Sequence, residues 1–157
     1  MRLSAQEEYG LRCLLQVARE PEGALTTPQL AEREGLGAAH VHKLMRLLRR
    51  GGLVKSVRGR NGGYQLVRPA EQISVGSVLG ALGGNLYSRD FCGQHKGVER
   101  VCVRNSDCAI RAVWIAVDQA VQNALGKTKL SDLLRSEPEM DVWIHSQPEV
   151  FPLRTLS

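Results

Sequence analysis

Two short amphipathic helical patterns lie three residues apart, and two strand-like runs follow them at once. That order, read from Thr27 to Val67, leaves few folds open to the chain. Thr27-Pro28 reads as a helix start, because a hydroxyl can cap free amides and proline at the first helical position sacrifices no bond. The first pattern runs to Glu34, Gly35 permits a tight turn, and a second helix is expected from Ala38 to Arg50. Its apolar stripe is Val41, Leu44, Met45 and Leu48, and Gly51-Gly52 stops it. This is the form of a helix-turn-helix. Leu53–Val57 and Gly63–Val67 then flank Arg58-Gly59-Arg60-Asn61-Gly62, and Asn-Gly between strand-like runs signals a tight hairpin, here a wing.

Charge sharpens this reading. From Ala38 to Arg68 there are eight Lys or Arg (Lys43, Arg46, Arg49, Arg50, Lys55, Arg58, Arg60 and Arg68) and no Asp or Glu. Of the 21 basic residues, 13 remain elsewhere against 16 acidic ones, so the whole surplus of +5 sits in this stretch. Such a concentration marks a surface for a polyanion. His42, Lys43, Arg46, Arg49 and Arg50 fall on the helix face opposite the apolar stripe, as a helix lying in a DNA major groove requires. Arg58 and Arg60 at the hairpin tip suit a narrow minor groove.

Residues 5–19 read as a helix apolar on two sides, with Leu11, Leu14, Leu15 and Ala18 on one and Tyr9, Cys13 and Val17 on the other. The two sides are expected to meet the chain's own domain and a partner subunit. A short helix is expected at 74–82. After an aperiodic stretch, Ile110, Val113, Trp114, Val117, Ala120, Val121, Ala124 and Leu125 follow a near-heptad spacing. A helix of that kind buries only one side on a small domain, so it is expected to join two chains into a homodimer and set two basic faces on a pseudo-palindromic operator in double-stranded DNA. Lys129–Arg135 adds a short helix, and the segment from Glu137, with Pro138, Pro148 and Pro152, reads as a poorly ordered tail. The expected architecture is mainly α: a winged helix-turn-helix domain at 1–84, a cysteine-bearing loop at 85–107, a long dimerisation helix with a short following helix at 108–136, and the tail at 137–157.

No apolar run is long enough to span a membrane, and the start lacks a signal-peptide core, so the chain is expected in the cytoplasm, where its four cysteines would stay reduced. Three of them, Cys92, Cys102 and Cys108, lie within 17 residues, on and beside a loop that opens the long helix. Thiols gathered this way supply most of the ligands of an iron-sulfur cluster. A zinc site or a metal-free thiol redox sensor fits the same spacing. Cys13, between Tyr9 and Val17, reads as a small core residue. An enzyme is not expected: no phosphate loop, nucleophile motif or acid-base cluster occurs outside the cysteine segment.

Met1-Arg2-Leu3-Ser4, the helix-turn-helix, the wing Val57–Tyr64, the helix start Ile73-Ser74-Val75-Gly76 and the cysteine loop before a long helix together resemble the Rrf2 family of winged-helix iron-sulfur transcription regulators, including its IscR-like and NsrR-like branches. The likeness covers about residues 1–135. It implies a dimer with a 2Fe-2S or 4Fe-4S cluster near its interface, through which redox state, nitric oxide or cluster supply alters operator binding. The chain departs from the family at the site itself. Nine residues separate Cys92 from Cys102, where the family has five, and five separate Cys102 from Cys108. Arg111 occupies the place of the histidine ligand of IscR-like members. NsrR-like members use a carboxylate on the first helix of the other subunit, which makes Glu8 the implied fourth ligand, with His95 its rival.

Overall fold

Reciprocal caps write three of the six described α-helix starts. In the computed structural model, which describes residues 3–59, 62–83, 102, 104 and 107–151, Ser4 accepts from the amide of Glu7 while its own amide donates to the Glu7 carboxylate. Helix α1 (Ala5–Ala18) starts there. Thr26 and Gln29 repeat the device for α2 (Thr27–Glu34), so the capping hydroxyl is one residue before the expected Thr27. Gly35, at φ 65°, ends α2 in the left-handed region, and α3 (Ala38–Arg50) follows.

The wing is β1 (Val54–Val57) and β2 (Gly63–Leu66), antiparallel with Val54 opposite Leu66 and Val57 opposite Gly63. Leu25, ahead of α2, adds a rung that the sequence reading lacks: its amide donates to the Tyr64 carbonyl at 3.1 Å and its carbonyl accepts from the Tyr64 amide at 2.8 Å. A lone rung has no periodicity by which to find it. A 3-10 turn (Ala70–Gln72), α4 (Val75–Leu82), α5 (Ala109–Lys127), a second 3-10 turn (Leu130–Leu134) and α6 (Glu137–His145) complete the described elements. The architecture is the expected mainly helical winged helix-turn-helix.

Helix α1 lies at the centre. Cys13, Leu14 and Val17 pack with Leu30 of α2, with Val41, Leu44, Met45 and Leu48 of α3, and with Val78 and Leu82 of α4. Of the two apolar sides of α1, Cys13 and Val17 are covered within the chain itself and are essentially inaccessible, while Leu11 and Leu15 on the other are partly buried.

Among the described residues, the C-terminal end of α5 is the part that is anchored. Val75 donates its amide to the Thr128 carbonyl at 2.9 Å and Leu130 to the Ile73 carbonyl at 2.8 Å, joining the start of α4 to the end of α5. The other half stands clear of the described residues, leaving Ile110 at 58%, Val113 at 57% and Trp114 at 47% exposure.

The segment expected to be a disordered tail begins instead with α6. Ser136 and Glu139 cap it reciprocally, Pro138 stands in the first turn, where its missing N–H breaks no bond, and Trp143 packs under the Arg135 guanidinium and edge-on to Phe151. The prolines that suggested disorder begin and follow a helix rather than interrupting one.

Gly63 tests the Leu25 rung. Its φ is 148°, and an added Cβ would stand 2.5 Å from the Leu25 carbonyl carbon. Gly63→Ala is expected to lower stability by about 1–3 kcal/mol in urea unfolding, through strain at one residue; an unchanged midpoint would show that the rung does not fix the wing.

Candidate nucleic-acid interface and cysteine site

Helix α3 is divided lengthwise. Val41, Leu44, Met45 and Leu48 are fully buried, and His42, Lys43, Arg46, Arg49 and Arg50 are all exposed on the other side. Burying each large aliphatic side chain contributes about 1.5–3 kcal/mol, so the helix cannot roll to hide its cations without losing most of that. Among the described residues, none of these cations forms an ion pair with a carboxylate. The face therefore offers uncompensated positive charge to an incoming polyanion.

The chain passes from α3 into β1 over three residues. The Leu53 amide donates to the Leu48 carbonyl at 3.0 Å, so the wing starts against the helix. Arg49 Nη1 donates to Ser56 Oγ on β1 at 3.3 Å. Arg58 is exposed at the edge of the wing tip, and Arg60 lies outside the described residues.

A polar junction that sequence reading missed sets the helix-turn-helix on α1. Arg12 Nε donates to Glu34 Oε2 at 2.7 Å, Gln16 Nε2 donates to Glu34 Oε1 at 2.6 Å, and Arg12 also reaches the Glu34 carbonyl at 3.2 Å. The hydrogen bond to Glu34 and its charge raise the Arg12 pKa further above its ordinary value. The Arg12 guanidinium lies over the Tyr9 ring, and that ring meets His40 of α3 edge-on at 5.6 Å. Arg12 and Glu34 are 22 residues apart, beyond the reach of any helical or strand period.

Cys108 is the N-cap of α5: its Sγ accepts from the Arg111 amide at 3.4 Å. At that position the sulfur faces the unpaired amides that open a 19-residue helix. Cys102 and Cys108 are both partly buried. Cys92 and His95 lie outside the described residues. Glu8 is exposed on α1, and its carboxylate makes no hydrogen bond or ion pair among the described residues. Those residues contain no group of three His, Cys, Asp or Glu side chains that could hold a metal ion. In kind, the described donors suit an iron-sulfur centre: two accessible thiols, one of them facing amides, and a free carboxylate for a site completed from elsewhere. Cys13 stands apart, as expected for a core residue. Burial, helped by the charge of Glu34, pushes its pKa up to about 11.

The Rrf2 family model, described as an iron-dependent transcriptional regulator, matches residues 3–136. The chain is 33% identical over 136 residues to the protein rrf2 of Nitratidesulfovibrio vulgaris, covering 86% of this chain and 88% of that one. It is 31% identical over 143 residues to the transcriptional regulator IscR of Xenorhabdus nematophila, covering 90% and 84%. Among solved structures, it resembles IscR of T. potens with a TM-score of 0.67 and 30% identity, covering 85% of this chain and 86% of that one. It resembles CymR, the global cysteine regulator of B. subtilis, with a TM-score of 0.68 and 29% identity, covering 85% and 96%.

Two outcomes are expected from this geometry. Arg46→Ala should weaken duplex binding, read by fluorescence anisotropy, by about 1–3 kcal/mol if Arg46 meets a base; wild-type affinity would remove it from the interface. Cys13 should resist alkylation in the native protein at pH 8 and react only on unfolding. Because its folded pKa exceeds the unfolded value, its contribution to stability is complete below pH about 9 and is lost as pH rises toward about 11.

Proposed function

Because the chain belongs to the Rrf2 family of transcriptional regulators, DNA-binding winged-helix proteins and not enzymes, we propose that it works as a homodimer that reads a pseudo-palindromic operator and reports the state of an iron-sulfur cluster held by Cys92, Cys102 and Cys108, with Glu8 of the partner subunit as fourth ligand. The observation that carries the DNA-reading half is the lengthwise division of α3, with its aliphatic stripe sealed in the core and its cations outside. His42, Lys43, Arg46, Arg49 and Arg50 meet the major groove and its phosphates, and Arg58 and Arg60 enter the adjacent minor groove.

The exposed Ile110, Val113, Trp114 and Val117 support the dimer: α5 leaves an apolar stripe that a second α5 covers. The sensing half is supported by Cys108 at the amide-rich start of α5, by the free Glu8 carboxylate on α1, and by the iron-dependent description of the matching family model. When bound, the cluster supplies a centre that reacts with oxidants and nitric oxide. Cys108 fixes the start of α5, and Glu8 would tie α1 of the other subunit to it. Since α1 carries the packing of α3, making or breaking that tie would turn the two reading helices relative to each other. A ligation difference of about 1–3 kcal/mol between the two states changes affinity about 5- to 150-fold, enough to switch a gene.

A second reading has its own support. CymR is among the structural neighbours, one of them an oxidised form from Staphylococcus aureus, and the enlarged spacing before Cys102 departs from the family's cluster pattern. In that reading Cys102 and Cys108 act as a metal-free thiol pair, and peroxide joins them.

Anaerobic purification with an absorbance spectrum and iron and sulfide analysis separates the two. The cluster reading expects a coloured protein holding iron and acid-labile sulfide, and colour lost on replacing Cys92, Cys102 or Cys108 singly by alanine. Retained colour in all three variants would overturn the ligand set. Iron-free protein that forms a disulfide with peroxide would establish the thiol reading instead.

A further inference from the structure

We propose that Arg49 and Ser56 together form a clamp for one DNA backbone phosphate, at the joint between α3 and the wing. The inference rests on the DNA-binding reading and adds to it Ser56 and the ligand of the pair. Arg49 lies on the edge of the exposed α3 face that adjoins β1, and its guanidinium already reaches Ser56 Oγ at 3.3 Å. In that bond the hydroxyl is the acceptor, so its own proton is left to donate elsewhere. The guanidinium keeps four further N–H groups. Two donors on adjacent elements, one charged and one neutral, are thus set side by side. Both side chains are exposed, and neither meets a carboxylate among the described residues.

The pair is also held in place before any ligand arrives. Ser56 stands opposite Tyr64, and Tyr64 is the residue bonded through both backbone groups to Leu25. Ser56 therefore sits on the rung of the wing that is fixed to the helical body. Arg49 is in the last turn of α3, with the Arg49 carbonyl accepting from Gly52 at 3.0 Å at the turn into β1. An anion with two oxygens on one side matches this spacing of donors, and a backbone phosphate presents that pair wherever the duplex passes from major to minor groove.

The test uses the full-length protein and a duplex selected by the wild-type chain from a random-sequence pool. Ser56→Ala is expected to weaken binding about 10- to 100-fold, as for loss of one hydrogen bond to a charged group, with the salt dependence unchanged. Ser56→Thr, which keeps the hydroxyl, retains wild-type affinity. Arg49→Ala lowers the slope of log affinity against log salt by about 0.9, the signature of one phosphate contact. With Arg49→Ala in place, Ser56→Ala costs little more, because the two act on one group. A single methylphosphonate, stepped along the duplex, has one position that weakens the wild type and leaves the double variant unaffected. Equal affinity of Ser56→Ala and wild type, independent effects of the two substitutions, or no such position would overturn the clamp while leaving DNA binding intact. Failure of the wild type to hold any selected duplex would overturn both.

Discussion

The packing of one stripe of α3 against α1 is the constraint on which the rest depends. Val41, Leu44, Met45 and Leu48 give that helix a single stable rotation about its axis, and the rotation decides where its cations point. No polar contact could fix it as firmly, since exposed charged groups gain little from pairing in water. The wing inherits the same frame. It leaves α3 over three residues, is bonded back to Leu48 through Leu53, and is pinned at Tyr64 to the segment before α2. Helix and wing thus present their positive charge as one body.

Helix α5 obeys the opposite rule. Its C-terminal end is fixed to α4 by a backbone bridge, and its N-terminal half offers apolar side chains to solvent. Among the described residues the helix is held at one end, so whatever grips its other half acts on the joint near Ser74 and Lys129. The cysteine at its start stands at the far end from that joint. The joint is backbone to backbone, so it does not give way when side chains move, and α4 in turn packs on α1 and α3. The start of α5 and the reading helix are in this way linked through few parts.

Much of the fold could be read in the chain because its cues are local. A 3.6-residue stripe, a hydroxyl followed three residues on by Glu or Gln, a glycine after a helix and Asn-Gly between strand-like runs each declare an element within a few residues. Glu139 behind Ser136 was such a cue, overlooked beside three prolines, and it opens α6. The Arg12–Glu34–Gln16 junction, the Tyr9–His40 contact and the Leu25–Tyr64 rung left no such mark. Each joins residues whose separation is set by how whole elements pack.

The cysteine site divides in the same way. Thiols near a helix start could be read from spacing, and the structure makes Cys108 the N-cap of that helix. The core place of Cys13 could be read as well, but the burial that holds its proton is a matter of depth, which three neighbouring elements create together. By itself, then, the sequence determined the elements, their order and the sign of the charge on the reading helix, because these follow from side-chain period and backbone preference over short spans. Tertiary structure alone decided that Cys13 and Val17 of α1 are covered from within, that Arg49 reaches the wing, and that α5 is fixed at its C-terminal end while Ile110, Val113 and Trp114 stay exposed. Those outcomes depend on distances between residues far apart in the chain, and only packing sets them.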